Sequence, residues 1–100
     1  MLVEHAWNNA APMSGQLAVT AVAQPLIGVT SSPNQLLKQS VTVEALKANT
    51  ASVFIGNSTV TTSTGFELPA GAQVTLNVAD PSKIYAIAAA GGQTISFIGI

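Results

Sequence analysis

The chain contains no arginine and no cysteine, and it has little charge of either sign. Three lysines face four acids in 100 residues, with a single histidine, for a net charge of −1. Each shortage excludes something. Without cysteine there is no disulfide framework and no thiolate metal site, and the chain suits folding in a reducing cytoplasm. Three lysines cannot neutralise enough phosphates for counterion release to drive DNA or RNA binding, so no nucleic-acid partner is expected. The longest wholly apolar run, Ala86–Ala90 with Ile84 and Tyr85 before it, falls far short of the ~20 residues that span a bilayer. The opening MLVEHAWNNAAPMS lacks the basic start and apolar run of a secretory signal. No membrane partner is expected, and synthesis in the cytoplasm is.

What is present is apolar or neutral. Hydrophobic residues make up 48% of the chain and charged ones 7%, and most of the rest is Ser, Thr, Asn and Gln. A soluble domain carries about a quarter of its residues charged, and a surface this neutral tends towards association. The composition therefore predicts a part of a larger assembly and not a freely diffusing enzyme.

The inventory of reactive groups agrees with that expectation. The acids are Glu4, Glu44, Glu67 and Asp80. Only Glu67 and Asp80, which flank the segment 73–78, are placed to meet at one sheet end, as paired-carboxylate hydrolysis requires. The simpler reading makes Glu67 a solvated turn residue and Asp80 the cap of a turn before Pro81. His5 stands alone near the N-terminus, whereas a metal site needs three or four ligands and a catalytic triad needs a His held by structure. AAAGGQ has neither the lysine nor the strand-to-helix setting of a phosphate loop; Gly91-Gly92 is expected to be a turn that uses positive φ. Asn57-Ser58-Thr59 matches a glycosylation acceptor but lacks a secretory context. No catalytic residue, metal or cofactor is assigned.

The periodicity is that of strands. Gln73–Val78 alternates most cleanly, with Val74, Leu76 and Val78 on one face and Thr75 and Asn77 on the other. Gln16–Val22, Leu26–Thr30, Leu36–Lys38, Val41–Lys47, Ser52–Ile55, Phe66–Leu68, Ile84–Ala88 and Gln93–Ile100 complete the set. Ser31-Ser32-Pro33-Asn34, Asn49-Thr50, Gly56-Asn57, Pro69-Ala70-Gly71, Asp80-Pro81-Ser82 and Gly91-Gly92 punctuate it as turns. Gly91-Gly92 is expected to close a hairpin. Pro33–Ser40 and Val43–Ala48 have some helical character, weakened by nearby β-branched residues. The fold class expected is all-β: an antiparallel, jelly-roll-like β-sandwich of seven to eight short strands with an extended N-terminal arm. Residues 1–14 form the arm and 15–100 a single domain. Its core is expected to hold Val43, Val53, Ile55, Val74, Leu76, Val78, Ile84, Tyr85, Ile87, Ile95 and Phe97.

Three stretches, VTVEALKANTASVFIGNSTV, GFELPAGAQVTLNV and DPSKIYAIAAAGGQTISFIGI, follow one another in a distinctive order. They comprise a V-F-I-G strand, a threonine-rich loop, a G-F-x-L-x-A-G turn, an I-Y-A-I-A strand and a final I-G-I. From about Gln35 to Ile100, roughly two-thirds of the chain, this pattern resembles small tailed-bacteriophage virion proteins. These occur as capsid cement or decoration proteins and as end domains of fibre-like proteins. The resemblance implies a β-sandwich building block of a virion and leaves the virion layer open; the leading reading adds the major capsid protein as partner, the capsid surface as location and, by analogy with the family and from general symmetry logic, a homo-oligomer (a trimer) as working form. It implies no catalytic motif.

Two places are candidates for docking. In the N-terminal segment, Leu2, Val3 and Trp7 form either an arm that packs on a neighbour, with Trp7 as an interface anchor, or a frayed end. The loop Gly56–Gly65 is the candidate exposed tip, with Asn57, Thr59, Thr61 and Thr62 offered to a neighbour or a glycan; the plainer reading is a solvated hairpin. Lys38 and Lys47 are expected on one exposed side, as partners for Glu44 at small energetic benefit. The leading expectation is a capsid cement or decoration protein that stabilises the head. The alternative is a tail- or fibre-associated protein that binds a host-surface glycan.

Overall fold

The computed structural model describes residues 13–26, 40–77 and 81–99. The candidate arm residues Leu2, Val3 and Trp7, with Glu4 and His5, lie outside the described residues. So do the turn at 31–34, the expected strand Leu36–Lys38, and Val78, Asp80 and Ile100.

Among the described residues there are eight strands: β1 (Met13–Val19), β2 (Gln24–Pro25), β3 (Val41–Ala45), β4 (Val53–Gly56), β5 (Phe66–Leu68), β6 (Gln73–Leu76), β7 (Tyr85–Ala88) and β8 (Gln93–Gly99). A short 3₁₀ turn, Pro81–Lys83, precedes β7. They form two four-stranded antiparallel sheets, one in the order β1-β8-β3-β6 and the other β2-β7-β4-β5. Strand β1 pairs with β8, β2 with β7, β3 with β6 and β4 with β5. That nesting is a long antiparallel ribbon rolled up on itself, the jelly-roll arrangement. The fold is therefore the β-sandwich that the period-two pattern predicts.

Alternation explains which residues fill the space between the sheets. Val41, Val43, Ala45, Val53, Leu68, Ala86, Ala88, Ile95 and Phe97 face inwards and are buried. Burial of such side chains contributes about 25 cal/mol per Å² of apolar surface removed from water. Val74 and Leu76 pack against this core but are only partly covered, because β6 is an edge strand.

Three details differ from expectation. In β7 the alanines Ala86 and Ala88 face the core opposite Ile55 and Val53, and the larger Tyr85 and Ile87 are half-buried on the outer face. Both parities of this strand are apolar, so size alone points to the wrong one; the register with β4 decides it. Gly91-Gly92 does not close a hairpin: β7 and β8 belong to different sheets, and the turn carries the chain across the sandwich. Gly92 does adopt positive φ, +87°, which a residue with a Cβ rarely tolerates. Finally, Val43–Ala48 is not helical. Its first residues form β3, and residues beyond Ala45 form a turn in which the Asn49 N–H donates to the Leu46 carbonyl at 3.0 Å.

The residues leading into β4 are fixed by two amides. The Asn49 side chain imitates a strand: its Nδ2 donates to the Thr94 carbonyl at 2.9 Å, and its Oδ1 accepts from the Thr94 N–H at 2.9 Å. Gln93 is buried at the end of the core. Its Oε1 accepts from the N–H groups of Thr50 and Ala51, and its Nε2 donates to the Thr50 hydroxyl and the Gly91 carbonyl. A buried amide so paired carries no desolvation deficit.

Candidate functional site

The surface is built from strand faces, and those faces are almost free of ions. Glu44 and Glu67 are the only charged residues in the eight strands. The outer face of the β1-β8-β3-β6 sheet is laid out in rows by the register. Ser14, Ile98, Thr42 and Thr75 lie side by side, as do Gln16, Ser96, Glu44 and Gln73. The hydroxyls of Thr42 and Thr75 share a hydrogen bond at 2.8 Å. Ile98 stands in this hydroxyl-rich face, 48% exposed.

The other two exposed large hydrophobic side chains lie elsewhere. Val22, 67% exposed, is in the corner that leaves β1, where its N–H donates to the Thr20 hydroxyl at 3.2 Å. Phe66, 60% exposed, lies on the opposite side of the sandwich, which the edge strands β5 and β6 of the two sheets border. Between them opens a cleft of about 430 Å³ lined by Ile55, Phe66, Val74, Leu76 and Ile84, with Asn57 and Lys83 at its rim. Phe66 has the inward parity of Ile55, its partner in β4, but no strand beyond it closes the space. Among the described residues, the exposed large hydrophobics thus point to three different sides.

The loop between β4 and β5 is more ordered than a solvated hairpin tip. Asn57 forms an Asx turn: its Oδ1 accepts from the Thr59 N–H at 3.0 Å and from the Thr59 hydroxyl at 2.9 Å, while its carbonyl accepts from the Val60 N–H. The hydroxyls of Thr61 and Thr64 bond each other at 3.1 Å, and each also accepts a loop N–H. These bonds turn Val60 back onto the outer face of the β2-β7-β4-β5 sheet, where it is 5% exposed. The close approach needs two glycines. A Cβ built on Gly56 would lie 2.6 Å from Val60 Cγ2, and one on Gly65 would lie 2.7 Å from Phe54 Cβ and 2.8 Å from Val60 Cγ2.

Of the candidate docking residues, Asn57, Thr59, Thr61 and Thr62 are all exposed. The side chains of Asn57, Thr59 and Thr61 are engaged in holding the loop, and Thr62 is the residue carried at its outside. Beside them, Asn57, Ser58, Ser82, Lys83 and Tyr85 line a smaller polar notch of about 280 Å³. The sequence offers little warning of Phe66 and Tyr85 as surface residues. Phe66 opens a three-residue edge strand directly after a loop glycine, and Tyr85 shares a strand with apolar residues of both parities. Glu67 is exposed in β5, where its Oε2 accepts from the Ser52 hydroxyl at 2.7 Å. Lys47 is exposed; its proposed neighbour Lys38 lies outside the described residues.

Among the described residues, no three His, Cys, Asp or Glu side chains gather as a metal site would require, and no helix is long and apolar enough to cross a membrane. No protein-family model matches the chain, and no curated protein sequence is significantly similar to it.

Proposed function

We propose that this chain is an adhesive structural subunit of a virus particle: a cement or decoration protein that binds the major capsid protein on the outer lattice of a tailed-phage head and stabilises it. The observation that carries this reading is the combination of strand faces with only two charges and exposed apolar side chains on three sides, Val22, Phe66 and Ile98. A part that bridges neighbours needs contact surface on several sides, and charges left unpaired at those contacts would be costly. A jelly roll alone does not choose this function, since lectin-like domains share it.

The mechanism is burial. Each copy covers the seam between capsid subunits and removes apolar surface from water, worth about 25 cal/mol per Å² before association costs. Many copies on one shell add avidity. A trimer at a local three-fold position is the proposed working form, on the strength of the family resemblance. The test adds the purified chain to heads that lack it. The expected result is added density on the outer lattice and a higher rupture temperature. Heads that bind no protein and rupture unchanged would overturn the reading.

The second reading, a tail- or fibre-associated protein that binds a host glycan, has one observation in its favour. Tyr85 is half-buried and borders the polar notch with Asn57 and Lys83, so an aromatic face lies beside amide and hydroxyl groups. Binding to host polysaccharide, lost in Tyr85→Ala and accompanied by no affinity for heads, would favour it over the cement reading.

A further inference from the structure

A sheet edge is a row of unpaired N–H and C=O groups, and proteins blunt such edges with short strands, charges, prolines or bulges. Three of the four edges here are blunted. Strand β2 has two residues, one of them Pro25. Strand β5 has three, one of them Glu67. Strand β6 has four. Strand β1 differs on every count. It runs for seven residues, MSGQLAV, with no charge and no proline. Its register with β8 is continuous from Met13 opposite Gly99 to Val19 opposite Gln93, so no bulge twists it away. Among the described residues its only sheet neighbour is β8.

We infer that β1 is a strand-addition site whose occupant is β1 of a second copy, paired antiparallel about a two-fold axis through Gln16. The sequence of β1 is complementary to itself in that register. Gln16 meets Gln16, Ser14 meets Ala18, and the bulky Leu17 meets Gly15. Because β1 has no charge, the axis brings no like charges directly opposite each other, which would be destabilising. Exposed Val22, in the corner that continues this edge, adds apolar surface at each end. Gly15 does not weaken the strand as an open glycine would, because the Phe97 ring lies across it: a Cβ built there would be 3.0 Å from Phe97 Cζ. Two copies joined this way share one eight-stranded sheet. The inference does not depend on the virion reading. Within it, the pairing would link a copy in one cluster to a copy in the next.

The test is the oligomeric state of the full chain by sedimentation velocity across a concentration series, with amide exchange as a second readout. The wild type is expected to dimerise, with protection of alternate β1 amides rising with concentration. Gln16→Lys places two ammonium groups at the axis on an exposed face, and should weaken association at least tenfold without lowering the melting temperature. Gln16→Thr, neutral and strand-favouring, should still dimerise. A wild type that is monomeric at every concentration would overturn the inference. So would a Gln16→Lys variant that associates as tightly as the wild type, or a dimer abolished by Phe66→Ser instead.

Discussion

Along the side bordered by β1, the sandwich ends in backbone; along the side bordered by β5 and β6, it ends in side chains. The β1 edge offers a straight, seven-residue row of hydrogen-bonding groups with little side-chain identity. The opposite side offers two short edge strands of different sheets, an exposed Phe66 and an apolar cleft of about 430 Å³. The two recognise different things. A backbone row accepts any strand that can lie flat, with register set by side-chain fit, whereas a cleft accepts a shape. The difference follows from strand length. β1 is long enough to pair along its whole length with β8. β5 and β6 are too short to close over the core, which is why Val74 and Leu76 stay partly covered.

The sharpest break in that comparison comes from one glycine on each side. At Gly65 an added methyl meets Phe54 Cβ, Val60 Cγ2 and the Thr61 carbonyl at 2.7, 2.8 and 3.1 Å, and neither the backbone oxygen nor the strand Cβ can retreat. Gly65→Ala should lower stability by about 2–3 kcal/mol in urea unfolding. At Gly15 the sole close neighbour is the end of the Phe97 ring, which can tilt, so Gly15→Ala should cost less than about 1 kcal/mol. Equal costs would mean that the β1 side is as tightly built as the loop side. Next in size is Val60→Ala. It removes the buried plug between Gly56 and Gly65, and should cost about 2 kcal/mol by the same measurement. A cost near zero would mean that the loop leaves the sheet in solution.

The sandwich class, the clean alternation of Gln73–Leu76 and the inward parity of Val43, Val53, Ile55, Ile95 and Phe97 were legible because period two and turn residues are local signals. What was not legible depends on partners distant in sequence. Tyr85 and Ile87 look like core until the register with β4 turns Ala86 and Ala88 inwards. Gly91-Gly92 announces a reversal, but its chemistry is the same whether the next strand pairs or crosses to the other sheet. Asn49 and Gln93 look like ordinary polar turn residues, yet their side chains tie the β3–β4 connection to β8 through pairs more than forty residues apart. In the Gly56–Gly65 loop, the threonine-rich composition pointed to exposure, and exposure is what Thr61 and Thr62 have. It gave no sign that Val60 would be buried there, or that the hydroxyls of Thr59, Thr61 and Thr64 would be spent on the loop itself.

A smaller effect separates the cleft from the fold. Phe66→Ser should change stability by less than about 1 kcal/mol, because a side chain 60% exposed loses little burial. Under the cement reading it should weaken head binding severalfold in a pelleting assay. Unchanged binding would assign adhesion to the other faces and leave the β5–β6 side without a role in it.

The smallest expected effect, that of Thr62→Ala set against Asn57→Ala, is the most discriminating for the loop. Asn57→Ala removes the acceptor of two bonds, and should cost about 1 kcal/mol, as loss of a turn-capping side chain does. Thr62→Ala touches an exposed residue that closes none of these turns, and its stability should stay within about 0.5 kcal/mol of wild type. The two variants therefore part the loop's structural role from a recognition role. If the loop only shapes the surface, binding to heads or polysaccharide should fall with Asn57→Ala and not with Thr62→Ala. If Thr62→Ala loses binding at unchanged melting temperature, the loop itself contacts the partner. The distinction can be read because Asn57 and Thr59 satisfy each other and Thr61 pairs with Thr64, leaving Thr62 as the candidate hydroxyl whose loss a partner would notice and the fold would not.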